Sequence, residues 1–476
     1  MSNLVACNLY GCLHNRPSTG QIPKATMSDV PNNSWPAEAP SRSGFSPYQI
    51  RVLTVLTLIN FVNWIDRQII YPLFPLLRDE FHVSYTQLGW LVAAFSLVHA
   101  VGSFGLGYLA DRTSRQRVIS FGILFWSGAT FASGLAGSFR SLLTARAMVG
   151  VGEAAYVPSA NAIISASFAR RIRARVQGVF DLGMFIGGAL GLALGGILAQ
   201  WVGWRPAFFI VGVPGLLLAL SVFRLPKPPS EARAPGLSTE QPVPVFDLLR
   251  VPAYIMVLVS GWFIAFAGYS YVIWGTDFVY RYKGFSLGEA GILLGSVSVL
   301  AGILGVMTGA VLADRLAAAF PWGRALAPAL GFLISAPFIL GAVHAPNKLA
   351  VLRLLFVGTF FMTWYHGPVT AIIHDLTPPR AHVTAMGLYY LLVNLFATTA
   401  ASLLTGKIAD RYGMFVGMHF AIAAQVLGAF GFVAVIYCVR RQGLRHPRLT
   451  SYFREESGAG DLAMPSVVAA PVVGGN

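Results

Sequence analysis

Charged side chains are scarce in this sequence. Asp, Glu, Lys and Arg make up 11% of the 476 residues, and hydrophobic residues make up 55%. A soluble globular chain carries about 25% charged residues, so this composition indicates an integral membrane protein. The net charge of +15 does not indicate a nucleic-acid partner, because the basic residues stand in short clusters between apolar runs. Such clusters are typical of membrane topology.

Cysteines and catalytic motifs are also few. The three cysteines, Cys7, Cys12 and Cys438, cannot make a disulfide framework. We find no Gly-rich phosphate loop followed by Lys-Ser/Thr, no metal-ligand spacing and no nucleophile motif. The first 45 residues contain no apolar core of signal-peptide length. The sequence therefore predicts no ATP site, no metal, no cofactor and no enzymatic activity.

Twelve apolar stretches are each long enough to cross a bilayer, which takes about 20 residues. They form two sets of six, separated by a Pro-rich linker without apolar periodicity. The predicted fold is an all-α membrane protein with twelve transmembrane helices in two pseudo-symmetric six-helix bundles. The predicted parts are a disordered tail (1–47), a first bundle (48–223), a linker (224–250), a second bundle (251–438) and a C-terminal tail (439–476).

The distribution of Lys and Arg predicts the orientation of the spans. If both ends of the chain are cytoplasmic, the cytoplasmic loops, the linker and the C-terminal tail together hold 19 basic residues, and the opposite side holds eight. An excess of this size predicts cytoplasmic termini. The loops are short and carry no organelle signal. We therefore expect a multi-pass monomer in the plasma membrane, which is the inner membrane in a bacterium.

The two halves of the sequence repeat each other. The shared features are a helix-opening capping box, a small-residue segment and a proline, each at a similar place in its half. The matches are 84–89 with 286–291, 196–199 with 406–409, and Pro158 with Pro368. Ser followed three residues later by Gln or Glu predicts a capped helix N-terminus in both halves. Many secondary transporters are built from two parallel six-helix repeats with a binding site at the midplane between them.

Four charged residues lie deep within the predicted spans of the first half. Asp66 and Arg67 are adjacent in the first span, and Arg146 and Glu153 lie two turns apart in the fourth. A charge at the centre of a membrane helix costs at least about 2.5–3.5 kcal/mol. Counting from the span ends places Asp66, Arg67 and Glu153 at one depth and Arg146 about two turns further out. Because isolated ions are so costly there, we expect the four to neutralise one another.

Two interpretations of these charges stay open. In one, they are a fixed salt-bridge cluster that holds the helices together. In the other, Arg67 and Arg146 attract an anionic head group, and Asp66 or Glu153 takes up a proton. The second interpretation predicts an apolar tail against aromatic side chains of the second half. The predicted lining residues are Asn63, Phe360, Phe361, Trp364, Tyr365, His366 and Phe396.

Three further patterns have less specific meanings. A basic loop follows the second span, and a partial copy of it follows the eighth. Because the loop is repeated in both halves, a conformational gate is favoured over a merely solvated loop. The predicted gating residues are Gly107, Asp111, Arg112, Arg115, Asp314 and Arg315. Glycines at every fourth position from Gly183 to Gly195 predict a smooth packing face. The lone histidines of the spans, including His99, are expected to be core residues, with His366 as the best exception.

These motifs carry a family resemblance. The segment Gly107–Arg117 resembles the loop signature of the major facilitator superfamily, with Ser114 where that family usually has Gly. The first half further resembles the Spinster branch of that superfamily. The matching motifs are Asn63-x-x-Asp66-Arg67, Trp126-Ser127, Arg146-x-x-Val149-Gly150-Val151-Gly152-Glu153 and Gly203-Trp204-Arg205.

The resemblance implies a transported lipid. Members of the Spinster branch move lysophospholipids or sphingosine-1-phosphate, some with proposed proton coupling and others by facilitated passage. Asp66, Arg67, Arg146 and Glu153 match the buried polar cluster of that family. We therefore expect alternating-access transport of an amphipathic anionic lipid. A proton-driven exporter of small organic molecules or drugs is the alternative within transport, and a non-transporting lipid sensor is the alternative outside it.

Overall fold

The computed structural model describes residues 45–223 and 244–444, and nearly all of them are helical. The predicted N-terminal tail, most of the linker and most of the C-terminal tail lie outside the described residues. The helices are α1 (Pro47–Phe81), α2 (Tyr85–Arg112), α3 (Arg115–Gly134), α4 (Phe139–Ala154), α5 (Tyr156–Ser167), α6 (Arg170–Trp201), α7 (Trp204–Phe223), α8 (Val245–Leu248), α9 (Pro252–Lys283), α10 (Leu287–Ala319), α11 (Gly323–His344), α12 (Lys348–Met362), α13 (His366–Leu376), α14 (His382–Leu391), α15 (Thr398–Tyr412) and α16 (Met414–Gln442).

These helices form the twelve predicted spans. Three spans are each made of two helices: α4 with α5, α12 with α13, and α14 with α15. Within the described part of the chain, nine spans are long and apolar enough to cross a membrane by length and composition alone. The remaining three are α2, α3 and α4–α5. They belong to the first half, where the charged residues of the candidate site also lie.

The predicted spans four and ten are interrupted at equivalent prolines. Pro158 has no N–H to donate to the carbonyl of Ala154, and the chain breaks there between α4 and α5. Pro368 likewise cannot bond to the carbonyl of Trp364, which lies in a 3₁₀ turn between α12 and α13. The proline match seen in the sequence therefore marks a structural repeat. The first of these breaks directly follows Glu153.

The helices differ from the expected spans in three places. A π-helical segment, Leu392–Ala397, joins α14 to α15, and such segments often occur at functional sites. The one-turn helix α8 occupies the predicted linker. Helix α16 continues four residues beyond the predicted end at 438, to Gln442. Arg440 and Arg441 lie in its last turn, where positive charge stabilises a helix.

The two halves meet through the repeated glycines. A Cβ atom at Gly89 of α2 would lie 2.4 Å from the carbonyl oxygen of Ser402 in α15. In the equivalent helix pair, α6 with α10, a Cβ atom at Gly196 would lie 2.3 Å from the carbonyl oxygen of Leu287. Only glycine allows backbones to approach this closely. Both contacts lie near the end of the molecule that carries the α1–α2 link and the α9–α10 link, called here the α1–α2 end.

Polar contacts also join the halves at the α1–α2 end. Arg281 of α9 donates from Nη2 to Asp79 of α1 at 3.0 Å and to the carbonyl of Pro75 at 3.4 Å. The same arginine holds Asp277 of its own helix through Nε at 2.9 Å. The capping boxes predicted at Ser84 and Ser286 are both confirmed at the starts of α2 and α10.

We expect Gly196→Ala to weaken the contact between the halves. The added methyl group would overlap the carbonyl of Leu287, and such overpacking costs about 1–3 kcal/mol. Gly178→Ala, in the same helix, is the matched control, because a Cβ atom at Gly178 meets nothing within 4 Å. The free energy of unfolding in a detergent titration measures the difference. Equal stability of the two variants would contradict this account of the interface.

The glycine face predicted in the fifth span packs on α1. A Cβ atom at Gly187 would lie 2.3 Å from the carbonyl oxygen of Phe61, and one at Gly191 would lie 2.8 Å from that of Ile65. Gly183 and Gly195 approach α1 in the same way. This close pairing of α1 with α6 fixes the height and rotation of α1, and therefore the positions of Asp66 and Arg67.

Candidate functional site

Asp66 and Arg146 form a buried ion pair between α1 and α4. Arg146 donates from Nη1 to Asp66 Oδ1 at 2.9 Å and from Nη2 to the Asp66 carbonyl at 3.4 Å. The hydroxyl of Thr130 in α3 donates a short bond to Asp66 Oδ2. The side chains of Arg146 and Asp66 are 2% and 3% exposed. This pair is neutral as a unit and sealed within the first half.

Arg67 forms the second ion pair, which is open on one side. Its Nε donates to Glu153 Oε2 at 2.5 Å, and its Nη2 lies 2.9 Å from His99 Nε2 of α2. The guanidinium carbon lies 5.3 Å from the ring centre of Trp64 and 5.2 Å from that of Phe95. The Glu153 side chain is fully buried, whereas that of Arg67 is 19% exposed. Arg67 is thus the part of the cluster that a ligand can reach.

The four charged residues are together as predicted, but their partners differ from the simplest expectation. Adjacent residues on a helix point about 100° apart, so Asp66 and Arg67 face different neighbours. Arg146, placed by counting about two turns outward of Asp66, still reaches it through its long side chain. The result is two separate pairs, one closed and one accessible.

Several buried polar atoms near these pairs have no hydrogen-bond partner among the described residues. They are Glu153 Oε1, Arg146 Nε, and both Nδ2 and Oδ1 of Asn63. Asn63 lies one turn before Arg67 on α1 and is 1% exposed. Buried polar groups nearly always have partners in folded proteins. The free atoms mark places where water, a proton or a ligand group can bind.

Polar and aromatic side chains of the second half include Tyr269, Tyr365 and His366. Tyr269 and Tyr365 are half-buried and His366 is exposed. The ring of Tyr365 lies 4.1 Å from that of His366 and 5.4 Å from that of Phe332. Tyr269 interacts electrostatically with Arg67. The lining role of Tyr365 and His366 stays a prediction.

The other predicted aromatic residues pack largely inside the second half. Trp364 covers Gly309 of α10 and Gly331 of α11, where a Cβ atom would lie 2.5 Å and 2.9 Å from it. Phe361 stacks on Phe338 of α11, and Phe360 packs edge-on against Trp364. The Cα and Cβ atoms of Trp364 thus pack closely against these two glycines, while its ring contacts Phe360 and Phe361. Phe396 lies in the π-helical segment and is 52% exposed.

The predicted gating residues are only partly described. The structure does not describe the surroundings of Gly107 or the side chains of Asp111, Arg112 and Arg115. In the second half, Asp314 lies 3.9 Å from Arg324 of α11, and Arg324 bonds to Asp375 of α13 at 2.6 Å. Arg315 is exposed. Asp314 therefore belongs to an ion-pair network within the second half.

Sequence reasoning missed two residues of the site, His99 and Thr130. A lone histidine or threonine in an apolar span has no feature that separates it from an ordinary core residue. Only the fold shows that His99 meets Arg67 and that Thr130 meets Asp66. Because Arg67 can only donate, His99 must accept through Nε2 and is neutral in this arrangement.

Twelve spans in two related halves, with a buried charged cluster in the first half, are the architecture of a membrane transporter. A sequence profile of the Major Facilitator Superfamily matches residues 56–400. The chain belongs to this superfamily, and its function is transport and not enzymatic catalysis.

Within the superfamily the chain resembles Spinster. It is 26% identical over 396 residues to protein spinster of Drosophila melanogaster, covering 80% of this chain and 65% of that protein. The crystal structure of a bacterial homologue of the human lysosomal transporter Spinster, inward-facing and occupied, superposes with a TM-score of 0.69. That match has 25% identity and covers 87% of this chain and 98% of the other. An MFS-type efflux pump of Mycolicibacterium smegmatis is 29% identical over 359 residues, 75% of this chain and 83% of that protein.

Proposed function

We propose that this transporter moves an amphipathic anionic lipid, of the lysophospholipid or sphingosine-1-phosphate kind, by alternating access. The observation that carries the proposal is the accessible Arg67–Glu153 pair. An arginine that is 19% exposed, and bonded on its buried side, offers its outer N–H groups to a second anion. A phosphate matches the planar donor array of arginine.

The second half supplies an apolar surface that suits a lipid tail. A cavity with apolar walls lies between α9, α10, α11 and α12, and Leu192 of α6 also contributes to it. Its walls include Phe278, Leu294, Val297, Ile339, Leu355 and Met362. Polar groups in the first half and apolar groups in the second match a molecule with a charged head and a hydrocarbon tail. Burial of each CH₂ group of such a tail contributes about 0.8 kcal/mol.

Charge balance links the substrate to a proton. With Glu153 ionised, the Arg67–Glu153 pair is neutral, and an added anion would leave an uncompensated negative charge in a buried site, which is prohibitive. Protonation of Glu153 removes this charge and frees Arg67 for the head group. The free Oε1 atom of Glu153 is a place for that proton. Asp66 stays paired with Arg146 throughout this cycle.

Flux measurements test the lipid assignment. Purified protein in proteoliposomes is expected to move an anionic lysophospholipid or sphingosine-1-phosphate, and not an uncharged monoacylglycerol of the same chain length. A thermal-shift screen with the same lipids and with small organic acids compares their binding. Binding of lipid without flux would identify a sensor and would contradict the proposal.

We expect Glu153→Gln to abolish the effect of a pH gradient on lipid flux. Glutamine imitates the protonated side chain, so anion binding next to Arg67 no longer requires proton uptake. Initial rates are measured with and without an imposed gradient. Asp181→Asn is the control, because Asp181 is an acidic residue of α6 that contacts Gln177 and not the cluster. Unchanged pH dependence in both Glu153→Gln and Asp66→Asn would rule out proton coupling through this site.

Export of small organic molecules is the second candidate, favoured by the similarity to the efflux pump of M. smegmatis. It predicts that small amphipathic compounds, and not long-chain lipids, stabilise the protein and are transported. We further propose that the protein is a monomer in the plasma membrane. The distribution of its basic residues supports cytoplasmic termini. Labelling of single cysteines from either side of intact cells tests this orientation.

A further inference from the structure

The first turn of α2 has backbone donors that its own residues do not satisfy. A helix N-terminus leaves its first N–H groups without partners inside the helix. The capping box of α2 uses two donors: Gln87 N bonds to Ser84 Oγ at 3.2 Å, and Ser84 N bonds to Gln87 Oε1 at 2.8 Å. The N–H groups of Tyr85 and Thr86 remain, and both bond to the second half of the molecule.

Asp410, in the last turn of α15, accepts both of these bonds. Tyr85 N donates to Oδ1 at 2.7 Å and Thr86 N donates to Oδ2 at 2.8 Å. The Thr86 hydroxyl also donates to Oδ2, at 2.6 Å. The carboxylate thus completes the cap of a helix in the other half. Its negative charge lies at the positive end of that helix, where it is stabilised.

Gln200, near the end of α6, is the pseudo-symmetric counterpart of Asp410. The shift that matches Gly196 with Gly406 also matches Gln200 with Asp410. Its Oε1 accepts from the backbone N of Gly288 at 2.9 Å, in the first turn of α10. Each half therefore caps a helix of the other, once with a charged group and once with a neutral one.

We propose that Asp410 and Gln200 are a pair of cross-half caps that hold the α1–α2 end closed and set the ratio of closed to open states in the transport cycle. Opening this end must separate α2 from α15 and α6 from α10. The N–H groups at the starts of α2 and α10 then lose these acceptors and bond to water instead. Asp410 contributes more than Gln200, because it accepts more bonds and carries a charge.

Two substitutions with opposite expected effects test the proposal. Asp410→Asn removes the charge and one acceptor, whereas Gln200→Glu adds a charge at a helix N-terminus. Spin labels at Gly137→Cys and Pro346→Cys, in links of different halves at this end, report the distance between the halves in a background with all native cysteines replaced by serine. We expect the closed-to-open ratio to fall about threefold to tenfold in Asp410→Asn and to rise about twofold to fivefold in Gln200→Glu.

Glu80→Gln is the matched control, because Glu80 is an acidic residue at the same end whose partners, Trp204 and Arg205, belong to its own half. It should leave the ratio unchanged. A second readout detects a rare open state: Ser402→Cys is buried against Gly89 in the closed form, so its alkylation rate rises in proportion to the open fraction.

Faster alkylation of the cysteine at position 402 in Asp410→Asn and slower alkylation in Gln200→Glu would support the proposal. It would be wrong if both variants kept wild-type distances and alkylation rates, or if both shifted in the same direction. These measurements use protein without substrate, so their outcome does not depend on which molecule is transported.

Discussion

Replacing Arg67 by glutamine is expected to weaken the binding of anionic lipids by about tenfold to a hundredfold. A hydrogen bond to a charged group contributes about 1.5–3 kcal/mol, and each 1.4 kcal/mol is a factor of ten in affinity. Among the four charged residues of the candidate site, Arg67 is the most exposed. The dissociation constant of an anionic lysophospholipid, measured by titration of the purified protein, gives the effect.

The single substitution also leaves Glu153 buried without its cation, so a folding defect has to be separated from a binding defect. The double variant Arg67→Gln/Glu153→Gln removes both charges and keeps the site neutral. This variant should be folded. It should bind an uncharged lipid of the same chain length with wild-type affinity, and its binding of the anionic lipid should still be lost. Arg353→Gln is the control, because Arg353 is another arginine within a span but is exposed in the second half. Unchanged anion affinity in the double variant would show that Arg67 does not bind the head group.

The sequence predicts the architecture of this protein well because its strongest signals are physical necessities. An apolar run of bilayer length has few alternatives to a helix, and a charge inside it needs a partner. The capping boxes at Ser84 and Ser286 and the prolines Pro158 and Pro368 likewise have local consequences that can be read without a fold. These signals were enough to predict twelve spans, two repeats and four candidate charges.

Pairing and accessibility could not be predicted in the same way. Whether Arg146 meets Asp66 or Glu153 depends on the rotation of α1, which the glycine face of α6 sets through contacts far apart in sequence. His99 and Thr130 join the site only through that geometry. Trp364 shows the converse, because this residue, suited by type to a lipid tail, packs its Cα and Cβ atoms against Gly309 and Gly331 and its ring against Phe360 and Phe361.

Breaking the Asp66–Arg146 pair is expected to have the largest effect on stability. Arg146→Met leaves the Asp66 carboxylate in a closed environment with Thr130 as its remaining partner, and removal of one member of a buried pair costs about 3–5 kcal/mol. Arg205→Met is the control, because the Arg205–Glu80 pair is 40% exposed on both sides. Exposed pairs contribute about 0–1 kcal/mol. The free energy of unfolding in a detergent titration compares the two variants.

The double variant Asp66→Asn/Arg146→Met decides between the two interpretations that the sequence leaves open. Asparagine still accepts from Thr130, and methionine fills most of the arginine volume, so a neutral, packed site should recover most of the lost stability. If this variant also transports lipid, the pair is a structural link between α1 and α4, and substrate recognition belongs to Arg67 and Glu153. If it is stable but inactive, Arg146 takes part in transport as well. Failure to recover stability would show that the pair does more for the fold than neutralise its own charges.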